Sequence, residues 1–143
     1  ESQEAFVREV ARTLGFDFSR GRLDRSVHPF CGGSHCNDVR MTTRFQDTEV
    51  NDALGSTMHE TGHGLYEQGL PFEHVGTPLG EAISLGIHES QSRMWENQVG
   101  RSREFWTWCG PIARKMLGKD VADLSDDELA AMLAAELGED DED

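Results

Sequence analysis

Lysine is nearly absent from this sequence: Lys115 and Lys119 stand against eleven arginines. Long apolar runs are missing too. None approaches the roughly 20 residues needed to span a bilayer, and the opening ESQEAFVREV lacks the basic-then-apolar pattern of a secretory signal. The expectation is a soluble protein. Cysteine is scarce and odd in number, with only Cys31, Cys36 and Cys109. That is too few for a disulfide scaffold and points to a reducing, cytoplasmic setting. Positive charge is short overall, the net charge being −14. From Asp120 onward there are 11 acids and no basic residue, leaving 16 acids against 13 basic residues before it. Such a surface argues against nucleic acid or an anionic membrane as partner, because phosphate binding needs a cationic patch. Abundant acid with little lysine resembles proteins of high-salt cytoplasm; an ordinary acidic tail is the plainer alternative.

At 143 residues the chain has room for one core, burying roughly two-thirds of the surface an unfolded chain exposes. One domain is expected, or one piece of a larger one, and a start at Glu1 rather than methionine fits processing or excision from something longer. Residues 2–14 place Phe6, Val7, Val10, Ala11 and Leu14 at helical spacing, with Gly15 as a stop. The polar link FDFSRGRLDRS and the HPFCGGSH stretch read as loop and turn. DVRMTTRF alternates, so a short strand around residues 38–45 is expected, with Val39, Met41 and Thr43 on one face and Arg40, Thr42 and Arg44 on the other. Residues 49–68 and 78–98 read as helices, Pro78 suiting a first turn. A third, around residues 103–117, is interrupted by Gly110-Pro111, which should kink or divide it. Ser125 and Glu128 form a capping box ahead of an apolar stripe of Leu129, Met132, Leu133 and Leu137, and EDDED follows. The fold class expected is mainly α with that one β segment. Residues 1–119 form the metal-binding segment, and 120–143 a capped amphipathic helix with an acidic tail.

The chemistry lies in TMHETGHGLYEQG, residues 57–69. On a helix, His59 and His63 differ by one turn plus about 40°, so both imidazoles leave one face and can meet at one ion. Glu60 sits to the side of the pair. In this H-E-x-x-H arrangement two nitrogens bind zinc and the glutamate addresses water at the metal. A catalytic zinc needs a third protein ligand. A histidine six residues after His63 is excluded, since that position is Gly69. Glu81, Glu89 and Glu96 all lie on the following helical stretch, and Glu89 is chosen because Ser84, Gly86 and Ser90 around it would let two helices approach closely. His28, Cys31, His35 and Cys36 can be read as a separate zinc knot, though loop cysteines beside the site are the plainer reading.

The blocks HPF, DVRMTTR, HETGH with GLYEQG, and HESQSRMWEN, in this order, resemble the carboxypeptidase Taq family of metallocarboxypeptidases. The resemblance runs from about Phe16 to Trp108. It implies a zincin-type helical enzyme, usually a homodimer, that removes single residues from the C termini of peptides. Carried over by position, it makes His59, His63 and Glu89 the metal ligands, for Zn2+ or Co2+, and Glu60 the general base. It also puts His28, Asp38, Arg40 and Arg44 beside the peptide substrate. Members of that family are several times longer, and their IRxxAD-type and GxxQDxHW-type blocks are not in this sequence. The implied activity is therefore that of a catalytic-core segment. A non-catalytic metal-binding module that needs a complementing chain to finish its groove is the alternative.

Overall fold

The computed structural model describes residues 2–46, 50–118 and 121–136, without the side chains of residues 133, 135 and 136. Asp47, Leu137 and the EDDED tail lie outside the described residues, as does the Leu133 side chain. The first helix, α1 (Ser2–Leu14), buries Phe6, Val7, Val10 and Ala11 as its spacing predicts. It ends in a Schellman turn: Gly15, at φ 114°, donates to the Arg12 carbonyl and Phe16 to that of Ala11. Phe16 thereby enters the core.

Three strands follow where one was expected. They are β1 (Gly21–Arg25), β2 (Phe30–His35) and β3 (Asp38–Thr43), in sheet order β1-β3-β2. β1 runs parallel to β3 and β2 antiparallel to it. The loop reading of residues 21–25 and 30–35 is thus corrected. Their sequences, GRLDR and FCGGSH, carry little β-propensity, and pairing with β3 supplies what propensity does not. β3 turns Val39, Met41 and Thr43 inward as read, but Thr42 is buried as well, its Oγ1 accepting from Ser26 Oγ and Phe30 N in the adjoining segments. Thr43 Oγ1 donates to the Ala53 carbonyl at 3.4 Å, which sets that face of the strand against the next helix.

That helix, α2 (Val50–Gln68), is the central element, packed against β2, β3, α1 and two later helices, α3 (Leu85–Arg93) and α5 (Asp126–Glu136). Because several elements cover it, it is buried on many sides and shows little amphipathic pattern. Its C-terminal end is clamped: Gln68 exchanges two 2.9 Å hydrogen bonds with the Asp17 backbone, and Arg20 donates to the Gln68 carbonyl at 2.7 Å.

The expected single helix over 78–98 is broken up. A 3-10 turn at Pro78–Gly80 gives way to extended backbone at Glu81 and Ser84. Helix α3 (Leu85–Arg93) then begins with Ser84 Oγ accepting from Ile87 N at 3.1 Å, and widens into a π turn at Met94–Val99. The close approach of α3 to α2 is real, but different residues create it. Ser84, Gly86 and Ser90 are exposed. The contact is made by Gly62 of α2, where a Cβ would lie 2.5 Å from the Ser92 Cα and 2.7 Å from the Gln91 carbonyl. Gly62→Ala should therefore force α3 outward, costing about 1–3 kcal/mol of stability by urea unfolding. Unchanged stability would mean that the helices are not in contact at that point.

Helix α4 (Arg103–Leu117) continues through Pro111 rather than dividing there. The carbonyl that Pro111 leaves without a donor belongs to Thr107, and both residues face solvent, so water can satisfy it. The last helix, α5 (Asp126–Glu136), starts at the expected capping box: the Ser125 N–H donates to Glu128 Oε2 at 2.7 Å, and Glu128 N donates to Ser125 Oγ at 3.3 Å. It joins the common core through Leu129, and Arg114 ties it to α4 by a 2.7 Å ion pair with Asp126. No helix among the described residues is long and apolar enough to cross a membrane.

Candidate metal centre

The Gly62 contact has a direct consequence for the histidines three residues before it and one residue after it. His59 and His63 face α3, and Glu89 of α3 faces back. Glu89 Oε2 lies 3.1 Å from His63 Nε2 and 3.6 Å from His59 Nε2. One donor atom from each of the three residues falls within 4.8 Å of the others. It is the one such group of His, Cys, Asp and Glu among the described residues, so His28, His35, Cys31 and Cys36 form no second cluster.

The outer nitrogens explain why these three atoms suit a cation. His59 Nδ1 lies 2.7 Å from Glu96 Oε2, and Glu96, on the π turn two helical turns beyond Glu89, is buried. A carboxylate only accepts, so a neutral His59 keeps its proton on Nδ1 and turns a bare Nε2 toward Glu89. Burial alone would lower the His59 pKa, but the Glu96 hydrogen bond and charge, with Glu60 and Glu89 adding, hold it above the usual histidine value. His63 is held below that value by burial and by the neighbouring His59 and His88. Burial would raise Glu89, yet His59, Arg93, Ser92 and His63 outweigh it and keep the carboxylate ionised. Two imidazole nitrogens and a carboxylate oxygen facing one another at this range can together hold a metal ion. This is the donor set of a zincin site.

Glu60 lies beside the cluster, 6% exposed, its carboxylate making no hydrogen bond among the described residues. Burial, with Glu89 and Glu96 adding and His59 opposing, lifts its pKa to about 7. It opens onto a cleft of about 530 Å³ lined by Pro29, Phe30 and Cys31 on one side and by Ala82, Leu85 and His88 on the other. Tyr66 helps to hold the second wall, its hydroxyl accepting from Ile83 N at 3.2 Å and its ring lying 4.9 Å from that of His88. Cys31 is pushed up to about 12 by burial and by Glu60 and Glu67, so it lines the cleft as a neutral thiol.

The other sequence-selected residues are not drawn into this cluster. His28 is exposed in the β1–β2 connection, and its neighbours Pro29, Phe30 and Cys31 reach the cleft in its place. Arg40 is exposed and pairs with Asp38 through bonds of 3.0 and 2.9 Å, on the sheet face opposite α2. Arg44 makes two 2.9 Å bonds to Asp52 in the first turn of α2. Asp52 is seven residues before His59, or about 10 Å along the helix axis. Glu67 and His88 form a pair that the sequence marks only by the four-residue step from His63 to Glu67, which repeats the step from His59.

Known proteins share this sequence and this fold. Thermostable carboxypeptidase 1 of Thermus thermophilus is 52% identical over 116 residues, covering 81% of this chain and 23% of its own. Carboxypeptidase 1 of Bacillus subtilis is 44% identical over 107 residues, covering 75% of this chain and 21% of its own. The crystal structure of an M32 carboxypeptidase from Deinococcus radiodurans superposes with a TM-score of 0.86 at 47% identity, over 90% of this chain and 26% of that one. This chain thus spans about a quarter of the length of the relatives it matches. The family profile of Carboxypeptidase Taq (M32) metallopeptidase matches residues 1–135. With nearly the whole described chain inside that match, and with a donor set of the kind a metallopeptidase requires, the chain belongs to the carboxypeptidase Taq (M32) family.

Proposed function

We propose that His59, His63 and Glu89 hold a zinc ion, with cobalt able to replace it, and that Glu60 is the general base of a carboxypeptidase acting on the last peptide bond of a peptide. The observation that carries this reading is the convergence of three donors within 4.8 Å beside a buried glutamate that opens onto a cleft. A metal ion bound there supplies a Lewis acid that polarises the scissile carbonyl and brings the pKa of water down to about 7. Glu60, buried beside the three donors and open to the cleft, is placed to take that water's proton and to pass it to the leaving amine. A purely structural metal site has no use for such a group.

The peptide would enter along the cleft between Pro29–Cys31 and Ala82–His88. His28, Asp38, Arg40 and Arg44 remain proposed substrate-side residues of the whole protein on the resemblance of their blocks alone, since they border β3 and its neighbours rather than the three donors. The cytoplasm is the proposed location, following from the free cysteines.

A second reading has its own observation. Phe72, Leu79, Ile83 and Leu85 are 64%, 70%, 78% and 91% exposed, along the segment that forms one cleft wall. So much exposed apolar surface favours a module completed by further polypeptide, whether a complementing chain or a second subunit. The discriminating assay is release of the C-terminal residue from an N-blocked dipeptide by the zinc-loaded chain. Wild type should exceed Glu60→Gln by at least about a hundredfold. Equal rates would leave the non-catalytic module as the better account.

A further inference from the structure

Glu67 and His88 have no part in the reaction described so far, yet they form a chain of contacts that ends on His63. Glu67 Oε1 lies 2.7 Å from His88 Nε2. His88 Nδ1 in turn faces His63 Nδ1 across a short hydrogen bond. The two rings are inclined by only 29°, with centroids 4.5 Å apart. Glu67 and His88 are 24% and 17% exposed, so the chain is largely shielded from competing water.

We propose that Glu67 and His88 are positioning residues that fix His63 in its Nδ1–H tautomer and so leave Nε2 bare. The direction of each bond follows from its far end. A carboxylate can only accept, so His88 carries its proton on Nε2. A neutral His88 then has a lone pair on Nδ1, and His63 Nδ1 must be the donor in the bond between them. A neutral His63 so protonated presents its remaining lone pair at Nε2, the nitrogen 3.1 Å from Glu89 Oε2. Glu96 does the same for His59 in one step, whereas His63 needs two because His88 stands between it and the carboxylate. Without this relay, His63 would be free to place its proton on Nε2, the preferred form of a solvated imidazole, and Nε2–H cannot ligate a metal. The tautomer lock stands on the hydrogen-bond geometry; its purpose rests on the metal-site reading above.

The test is 15N–1H NMR of histidine-labelled, metal-free protein at pH 8, together with Co2+ titration of the same samples. In wild type His63 should carry its proton on Nδ1. Glu67→Ala and His88→Ala should move it toward Nε2 and weaken Co2+ binding by about 10- to 100-fold, with circular dichroism unchanged. Glu67→Gln, whose amide oxygen can accept the same bond, should restore both signals, which a general packing role would not predict. If His63 keeps the Nδ1 proton in both alanine variants, or carries it on Nε2 in wild type, the relay is overturned. Wild type with the Nδ1 proton but no Co2+ uptake would instead overturn the metal-site reading and leave the tautomer lock standing.

Discussion

Purified protein is expected to take up close to one equivalent of zinc or cobalt, and His59→Ala, His63→Ala and Glu89→Ala each to lose most of that affinity. Four-ligand zinc sites in small domains are worth roughly 10–16 kcal/mol, so deleting one ligand should cost about 3 kcal/mol, or two orders of magnitude in Kd. Two controls separate ligation from general damage. Glu96→Gln leaves all three donors in place and keeps an oxygen near His59 Nδ1, so it should weaken binding by about tenfold or less. Glu60→Gln should bind metal as wild type does. Ligand variants that retain full metal would remove the basis of the assignment. Acid should mimic the ligand deletions, because protonated imidazole cannot ligate. With His59 held above the usual histidine value, binding should begin to weaken at a higher pH than an unperturbed imidazole would set.

The parts of this site that could be read in the sequence are those set by local geometry. His59 and His63 share a face because the helix places residues four apart together, whatever else the fold does. The Schellman stop at Gly15 and the box at Ser125 and Glu128 were legible for the same reason: each is closed by hydrogen bonds within a few residues. What escaped depends on partners distant in sequence. β1 and β2 exist because β3 offers them hydrogen bonds, and no periodicity inside GRLDR or FCGGSH announces that. Pro111 is tolerated because the Thr107 side of α4 faces water, a fact of packing rather than of helix propensity.

Small residues flank Glu89 in the sequence, yet Gly62, inside the histidine motif itself, is what admits α3. The choice of residue and the reason for it came apart because either helix can supply the small residue at a close contact. Glu96 was weighed as a ligand and is instead the acceptor behind His59, a distinction that only the orientation of the ring resolves. Arg40 and Arg44 are paired with Asp38 and Asp52, which takes up the bidentate geometry a peptide carboxylate would use. The exposed apolar wall at Phe72, Leu79, Ile83 and Leu85 fits a chain that covers only about a quarter of its relatives' length.

In the metal-free protein, Glu60→Gln should stabilise the fold, and the gain should depend on pH. Glu60 titrates near 7 in the folded chain, against a reference value of 4.5. Below pH 4.5 it is protonated in both states and contributes no difference. Between pH 4.5 and 7 the folded state keeps a proton that the unfolded state has released, so stability falls as pH rises, by up to about 1.4 kcal/mol per unit. Above 7 the loss is complete, on the order of 3 kcal/mol. Glutamine has no proton to lose, so its urea midpoints should part from those of wild type above pH 5 and stay higher at pH 8. Parallel stability curves for the two proteins in chelator would show that Glu60 is not desolvated as the structure has it. Separate curves would mean that the fold holds a carboxyl group poised near neutrality and sacrifices stability to do so, which a base for water requires and a merely structural acid does not.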